Sequence, residues 1–176
     1  MKRSDGRRKQ DRTIPGNSGP ELSAALSLRF MRLALAQARA AAKADEVPVG
    51  AVVVENGAVL AEGRNRIREL RDPTGHAEIL ALRAASARLR RERLGGTILY
   101  TTLEPCPMCA GAAVLARVDA VVYGAADPKA GAGGTLLDLL RHPALNHRCR
   151  VVGGVLSAES RRLLQQFFKA KRRGNA

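Results

Sequence analysis

The fold is decided by VPVGAVVVENGAVLAEGRN, residues 47–65. Val49–Val54 is a continuous run rich in β-branched valine, which favours an extended strand. Asn56-Gly57 is a strong signal for a two-residue turn, and the strand pattern returns at Val59–Glu62. The stretch therefore predicts two antiparallel strands that are joined by a tight hairpin turn.

Helices and strands alternate on both sides of this hairpin. Helical periodicity and end signals predict helices over Glu21–Asp45, 76–93, Cys106–Ala116, Leu136–Leu140 and Ser157–Lys171. Further strands are predicted at Thr97–Thr102, Ala120–Tyr123 and Arg150–Val152, and a charged loop at 64–75. The alternation predicts an α/β protein, a three-layer α/β/α sandwich around a five-stranded mixed sheet.

The charge of the chain is concentrated at its two ends. The net charge is +14 over 176 residues; residues 1–20 carry +4 and residues 161–176 carry +6. We expect a disordered basic N-terminal arm over 1–20 and a single domain over 21–173 that includes a basic C-terminal helix. Basic ends indicate a polyanionic partner, either nucleic acid or an anionic membrane, although the arm could equally be a solubilising tail.

The cysteine content and the hydropathy pattern bear on the compartment. Three cysteines do not make a disulfide framework, and the chain has neither a signal-peptide core nor a run of 18 apolar residues. We therefore expect a cytoplasmic protein without a membrane span. In a reducing compartment, a C-x-x-C motif indicates metal binding or redox chemistry rather than a structural cystine.

Two short motifs carry candidate metal ligands. TTLEPCPMCAGAAV, residues 101–114, contains Cys106 and Cys109, and PTGHAEILAL, residues 73–82, contains His76. Catalytic zinc has three protein ligands and keeps its fourth position for water, and no fourth ligand of comparable quality is evident here. Both motifs lie at predicted helix starts, where a thiolate is stabilised. The pattern favours an open catalytic zinc site over a structural one.

Glu78 follows His76 by two residues, which places its carboxylate beside the metal rather than on it. Zinc lowers the pKa of a bound water to about 7, and a neighbouring carboxylate can take the proton and deliver it to a leaving group. A thioredoxin-like redox pair and a structural zinc site are the alternatives for C-x-x-C alone. H-x-E followed by P-C-x-x-C about thirty residues later is typical of zinc nucleobase deaminases.

Narrower motifs accompany this pair, namely EVPVGAVVV, GRNR, DPKAGAGG, HPALNHR and a terminal FF followed by basic residues. From about Phe30 to Arg173 the chain resembles the bacterial tRNA-specific adenosine deaminases, which have the cytidine-deaminase-like fold. The resemblance implies zinc-dependent hydrolytic deamination of adenosine to inosine at the wobble position of an arginine tRNA, by a homodimer. Arg64 stands where the family often has an aromatic residue.

The resemblance also implies roles for individual residues. His76, Cys106 and Cys109 would hold one zinc ion per subunit, and Glu78 would be the proton shuttle. Four further residues would contact the substrate: Asn65 would hydrogen-bond the adenine, Val49 would line the base pocket, Asp127 would face the target nucleotide, and Phe168 would meet the anticodon arm.

Two rival functions remain open at this stage. A small-molecule deaminase of the same fold, acting on cytosine, guanine or a nucleoside such as cytidine, would share the zinc motifs. A non-enzymatic RNA-binding module would not need Glu78. The basic C-terminal helix and the narrower motifs favour a deaminase that acts on RNA.

Overall fold

The computed structural model describes residues 22–174. Its helices are α1 (Ala24–Lys43), α2 (Ile67–Leu70), α3 (Ala77–Leu89), α4 (Pro107–Leu115) and α5 (Ser157–Gly174). Its strands are β1 (Gly50–Glu55), β2 (Ala58–Arg64), β3 (Thr97–Leu103), β4 (Ala120–Ala125) and β5 (Arg150–Val152). The predicted arm over 1–20 lies outside the described residues, and the domain limits 21–173 stay a prediction.

The strands form one mixed sheet in the order β2-β1-β3-β4-β5. Strand β1 is antiparallel to β2 and β3, whereas β3, β4 and β5 are mutually parallel. Asn56 and Gly57 have φ angles of 49° and 75°, as a type I′ hairpin turn requires. The predicted hairpin and five-stranded mixed sheet are confirmed.

Helices cover both faces of the sheet. Alternate residues of β1 point to opposite sides, so that Val52 and Val54 pack against Phe30 and Met31 of α1. On the other face, Ala51 and Val53 belong to a second apolar cluster with residues of α3 and α4. Helix α5 contacts β4 and α1 on the first face. These layers confirm the predicted α/β/α sandwich, and among residues 22–174 no helix is long and apolar enough to cross a membrane.

Two sequence predictions of local structure are wrong. Leu136–Leu140 is not a helix, because the N–H groups of Leu136 and Leu137 both donate to the carbonyl of Gly131, and Gly133 pairs with Asp138. The loop 64–75 contains the short helix α2, whose start is capped from a distant part of the chain. Both departures come from contacts that local periodicity does not encode.

Candidate active site

Two helix starts meet at the proposed ligands. His76 is the residue immediately before α3, and Cys106 stands in the same place before α4, with Cys109 one turn further on. Neither His76 nor Cys106 uses its side chain to cap the helix that follows it. Pro107 occupies the first helical position of α4, where a missing N–H costs nothing. The residues at the two helix starts thus bring His76, Cys106 and Cys109 to one point.

The three side chains form a compact nitrogen–sulfur cluster. His76 Nδ1 lies 3.7 Å from Cys106 Sγ and 3.5 Å from Cys109 Sγ. All three potential ligand atoms lie within 4.8 Å of one another. For tetrahedral zinc with usual bond lengths, neighbouring ligand atoms would be about 3.3–3.8 Å apart. The donor set and the spacing fit one zinc ion that has a fourth position open.

The thiols are electrostatically prepared for a cation. The hydrogen bond from Cys109, followed by that from His76, lowers the pKa of Cys106 to about 4. The same bond between the cysteines, together with burial, raises the pKa of Cys109. The hydrogen bond with Cys106 also raises the pKa of His76. One thiolate is thus present near neutral pH without any metal, which is the form that binds zinc.

Glu78 contributes a buried carboxyl group next to this cluster. The side chain is buried, and its Oε2 has no hydrogen-bond partner within residues 22–174. Burial is the main cause of the raised pKa of Glu78. An unpaired buried carboxylate oxygen is costly unless a water or a ligand satisfies it. Glu78 is therefore placed to exchange a proton with a bound molecule.

A cavity of about 210 Å³ opens onto this group. It brings together six of the residues predicted from the sequence, and five further residues complete its lining. The predicted residues that line it are Val49, Asn65, His76, Glu78, Cys106 and Asp127, and the others are Val47, Ile67, Leu103, Glu104 and Ala130. Cys109, the third member of the cluster, is fully buried and does not line the cavity.

Phe168 is not at this cavity. It lies on α5, in a second cavity of about 350 Å³ that is lined by Lys129, Leu164, Gln165, Phe168 and Arg172. Its ring is 45% exposed and packs edge-on against Phe167, with 5.5 Å between the centroids. The loop that carries Asp127 and Lys129 contributes to the lining of both cavities.

Asn65 is held in one orientation by the backbone of α3. Its Oδ1 accepts the N–H of Ala77 at 2.9 Å, and its own N–H donates to the carbonyl of Val49 at 3.1 Å. Because Ala77 offers a donor, the amide oxygen must face it and the NH₂ end remains for a ligand. Arg64 supports this segment by donating to the Asn65 carbonyl at 3.2 Å and pairing with Glu69 at 2.7 Å.

Sequence reasoning missed two buried glutamates. Glu104 lines the cavity directly before the P-C-x-x-C motif, and its carboxylate accepts three backbone N–H groups. Glu46 accepts the N–H groups of Arg68 and Glu69 at the start of α2. Both were marked in the sequence by an acidic residue at the edge of a recognised segment: Glu46 precedes the valine-rich strand segment, and Glu104 precedes the P-C-x-x-C motif.

The chain is similar to known deaminases in both sequence and structure. A family model for MafB19-like deaminases matches residues 27–172. The tRNA-specific adenosine deaminase of Agrobacterium fabrum is 49% identical over 143 residues, which are 81% of this chain and 94% of that protein. A structure from studies of A-to-I editing by tRNA:A34 deaminases at the wobble position of transfer RNA is 48% identical, with a TM-score of 0.75 over 77% of this chain and 99% of that one. The guanine deaminase from Nitrosomonas europaea is 30% identical, with a TM-score of 0.72 over 86% of this chain and 88% of that one.

Proposed function

We propose, because this chain belongs to the family of tRNA-specific adenosine deaminases, that it hydrolyses adenosine to inosine at the wobble position of a tRNA. Its fold is the cytidine-deaminase-like fold of that family. The observation that carries the proposal is the buried Glu78 carboxyl, whose Oε2 has no partner within residues 22–174, beside the cluster of His76, Cys106 and Cys109. A hydrolytic deaminase needs these groups, and a purely RNA-binding module does not.

His76, Cys106 and Cys109 would hold one zinc ion per subunit, as their donor types and spacing support. When bound there, zinc supplies Lewis-acid activation of the water that attacks the base. Glu78 takes one proton from that water and transfers it to the ring nitrogen N1 of adenine. It then passes the second proton to the departing amine, so that water and adenosine give inosine and ammonia.

The remaining cavity residues would orient the base. The NH₂ end of Asn65 is available to an acceptor on adenine, and Val49 contributes an apolar wall. Asp127 lies at the rim on the loop that contributes to both cavities, where it would face the target nucleotide. A base in an anticodon loop is already partly unstacked, so the free-energy cost of placing it in the cavity is small.

The C-terminal helix would contact the anticodon arm. Helix α5 ends with Lys169, Lys171, Arg172 and Arg173, and its exposed Phe168 offers a ring on which a base could stack. This charge supports a polyanionic substrate, and an arginine tRNA is the substrate that we propose. Because tRNA is the substrate, we place the reaction in the cytoplasm.

We further propose that the protein acts as a homodimer. Helix α4, which follows Cys106, exposes Met108 and Leu115, and Leu115 is 80% exposed. Leu136, Leu137 and Leu145 are also exposed large apolar residues. We propose that a second copy of the chain covers these side chains.

The alternative is a deaminase of a small nucleobase or nucleoside, which the likeness to a guanine deaminase favours. The test is to incubate the purified protein with an arginine tRNA transcript that carries adenosine at the wobble position. Sequencing should show an A-to-G change with the wild type and none with Glu78→Ala. Unedited tRNA, together with ammonia release from guanine, cytosine or cytidine, would instead establish the alternative.

A further inference from the structure

Glu104, the residue that follows β3, holds one loop beside the catalytic cavity. Its side chain is 2% exposed, and both carboxylate oxygens accept backbone N–H groups of one loop. Oε2 accepts from Asp127 at 3.0 Å, and Oε1 accepts from Gly133 and Thr135, each at 3.0 Å. The carboxylate thus binds both ends of the segment 127–135, which we name the rim loop.

The rim loop is built closely around this carboxylate. A Cβ atom added to Gly131 would lie 2.4 Å from Glu104 Oε2 and 2.6 Å from the Asp127 carbonyl. A Cβ atom on Gly133 would lie 3.4 Å from Glu104 Cγ. Glycine at 131 is therefore required by the close approach of the loop to a charged side chain, and this steric observation is independent of the hydrogen bonds.

The same loop is tied to the strand that leads into the zinc ligands. The N–H of Ala132 donates to the Pro105 carbonyl at 2.8 Å, and the N–H of Glu104 donates to the Ala125 carbonyl at 2.8 Å. Pro105 directly precedes Cys106. The rim loop is consequently fixed relative to the metal ligands by backbone contacts and by one buried carboxylate.

The position of the rim loop affects both cavities. Asp127 and Ala130 line the catalytic cavity, whereas Lys129 between them lines the cavity with Phe168. Asp127 also accepts the N–H groups of Lys129 and Ala130 through Oδ1 at 2.9 and 3.3 Å, so this end of the loop moves as a unit. A loop that shifted here would change the contacts to a target base and to its neighbours at the same time.

We propose that Glu104 is a positioning residue that sets substrate affinity by holding the rim loop against the catalytic cavity. The inference rests on the proposed function, because it assigns the loop to the bound RNA. Glu104 touches neither the ligand cluster nor the reacting atoms in this role. Its contribution therefore differs from that of Glu78, which moves protons.

The first test measures the loop without any reaction. In hydrogen exchange of the zinc-loaded wild type, the amides of Asp127, Gly133 and Thr135 should be protected. Gln in Glu104→Gln keeps one acceptor oxygen and replaces the other with NH₂, so at least one N–H loses its acceptor. We expect exchange in a peptide covering 126–136 to quicken about tenfold or more. The control is Glu92→Gln, the same change at an exposed position, which should leave this peptide unchanged.

The second test separates binding from chemistry. With tRNA as substrate, Glu104→Gln should raise KM about tenfold and leave kcat within about threefold, because the lost contacts orient the loop rather than the reacting groups. Its zinc content should remain one per chain. A fall in kcat at unchanged KM, or a loss of zinc, would overturn the positioning role.

Gly131→Ala pushes the loop away from Glu104 by adding a methyl group to the loop itself. It should also quicken exchange in the 126–136 peptide and raise KM, and it serves as the test if Glu104→Gln does not fold. Unprotected amides at 127, 133 and 135 in the wild type would overturn the proposal without any variant. If the wild type leaves tRNA unedited, the proposed function fails, whereas the exchange experiment still decides whether Glu104 holds the loop.

Discussion

The side-chain oxygen of Asn65 accepts a hydrogen bond of 2.9 Å from the backbone N–H of Ala77, the residue that follows His76. Asn65 is buried, and its backbone is in turn bound to Val49. Through its side chain and its backbone, Asn65 therefore connects the segment before β1 with the start of α3 at His76.

This connection predicts that Asn65→Ala and Asn65→Asp differ in stability. Asn65→Ala leaves the buried N–H of Ala77 unpaired, so the free energy of unfolding should fall by about 1–3 kcal/mol. Asn65→Asp keeps an acceptor for Ala77 and loses the NH₂ donor. Because a buried carboxylate is costly, its stability is compared in urea at a pH low enough to protonate the new carboxyl, where it should exceed that of Asn65→Ala, and at neutral pH the variant should lose most of kcat/KM. Equal stability loss in both variants would contradict the assignment of the oxygen to Ala77.

Replacement of Glu78 should abolish the chemical step while sparing the fold. Glu78→Gln should lower kcat by about 10²–10⁴-fold, the range for losing a general acid–base group, with zinc still bound. Measurement of single-turnover rates with tRNA and of zinc content would show this. A variant with near-normal kcat would remove Glu78 from the proton transfers.

In the metal-free protein, Glu78→Gln should also change how the free energy of unfolding depends on pH. Burial raises the pKa of Glu78 above the ordinary 4.5, so the native state holds a proton that the unfolded chain releases. Wild-type stability is therefore lost as the pH rises above 4.5 and through the raised native pKa. The free energy of unfolding of Glu78→Gln should exceed that of the wild type by more at alkaline than at mildly acidic pH, as chemical denaturation would detect.

Metal analysis should separate the ligand cysteines from the third cysteine. Wild-type protein should contain about one zinc per chain, and Cys106→Ser should retain almost none, because a hydroxyl is a poor zinc ligand. Burial raises the pKa of Cys149 to about 12, so this thiol stays protonated and lies outside the cluster. Cys149→Ser is the matched control and should keep its zinc. Chelation of zinc from the wild type should abolish activity and lower Tm.

Two cations that line the Phe168 cavity should account for part of the salt dependence. Lys129→Ala with Arg172→Ala should weaken tRNA binding and reduce the slope of log K against log salt by about one per lost phosphate contact. Arg93→Ala is the control, because Arg93 is exposed near the start of β3, at the end of the sheet away from the cavity. Fluorescence anisotropy across a salt series would measure the slopes, and equal slopes would contradict a contact with RNA.

The proposed homodimer can be tested at α4. Leu115→Glu places a charge on the most exposed apolar side chain of that helix and should convert the dimer into monomers in sedimentation experiments. Leu28→Glu on α1 is the control, since Leu28 is 37% exposed and lies on the other face of the sheet. A wild type that sediments as a monomer would refute the dimer directly.

The hairpin and the ligand cluster could be predicted from the sequence, because residues that are close together in the chain specify them. Asn56-Gly57 specifies its own turn, and Cys106 and Cys109 are one helical turn apart. The rim loop could not be predicted, because its shape depends on Glu104, which lies 23 to 31 residues from the amides that it binds. The apolar run at Leu136–Leu140 has a helical composition, yet the N–H groups of Leu136 and Leu137 donate to the Gly131 carbonyl and Gly133 pairs with Asp138, so no helix forms there.

Helices α3 and α4 each follow a proposed metal ligand whose side chain makes no capping hydrogen bond, but Asn65 Oδ1 accepts the first N–H of α3. The missing cap at α4 costs about 0.5–2 kcal/mol. A newly made chain in a zinc-starved cell would therefore carry a weakened start of α4, open to proteases. We expect its half-life, and so the inosine content of the tRNA pool, to follow the zinc supply of the cell.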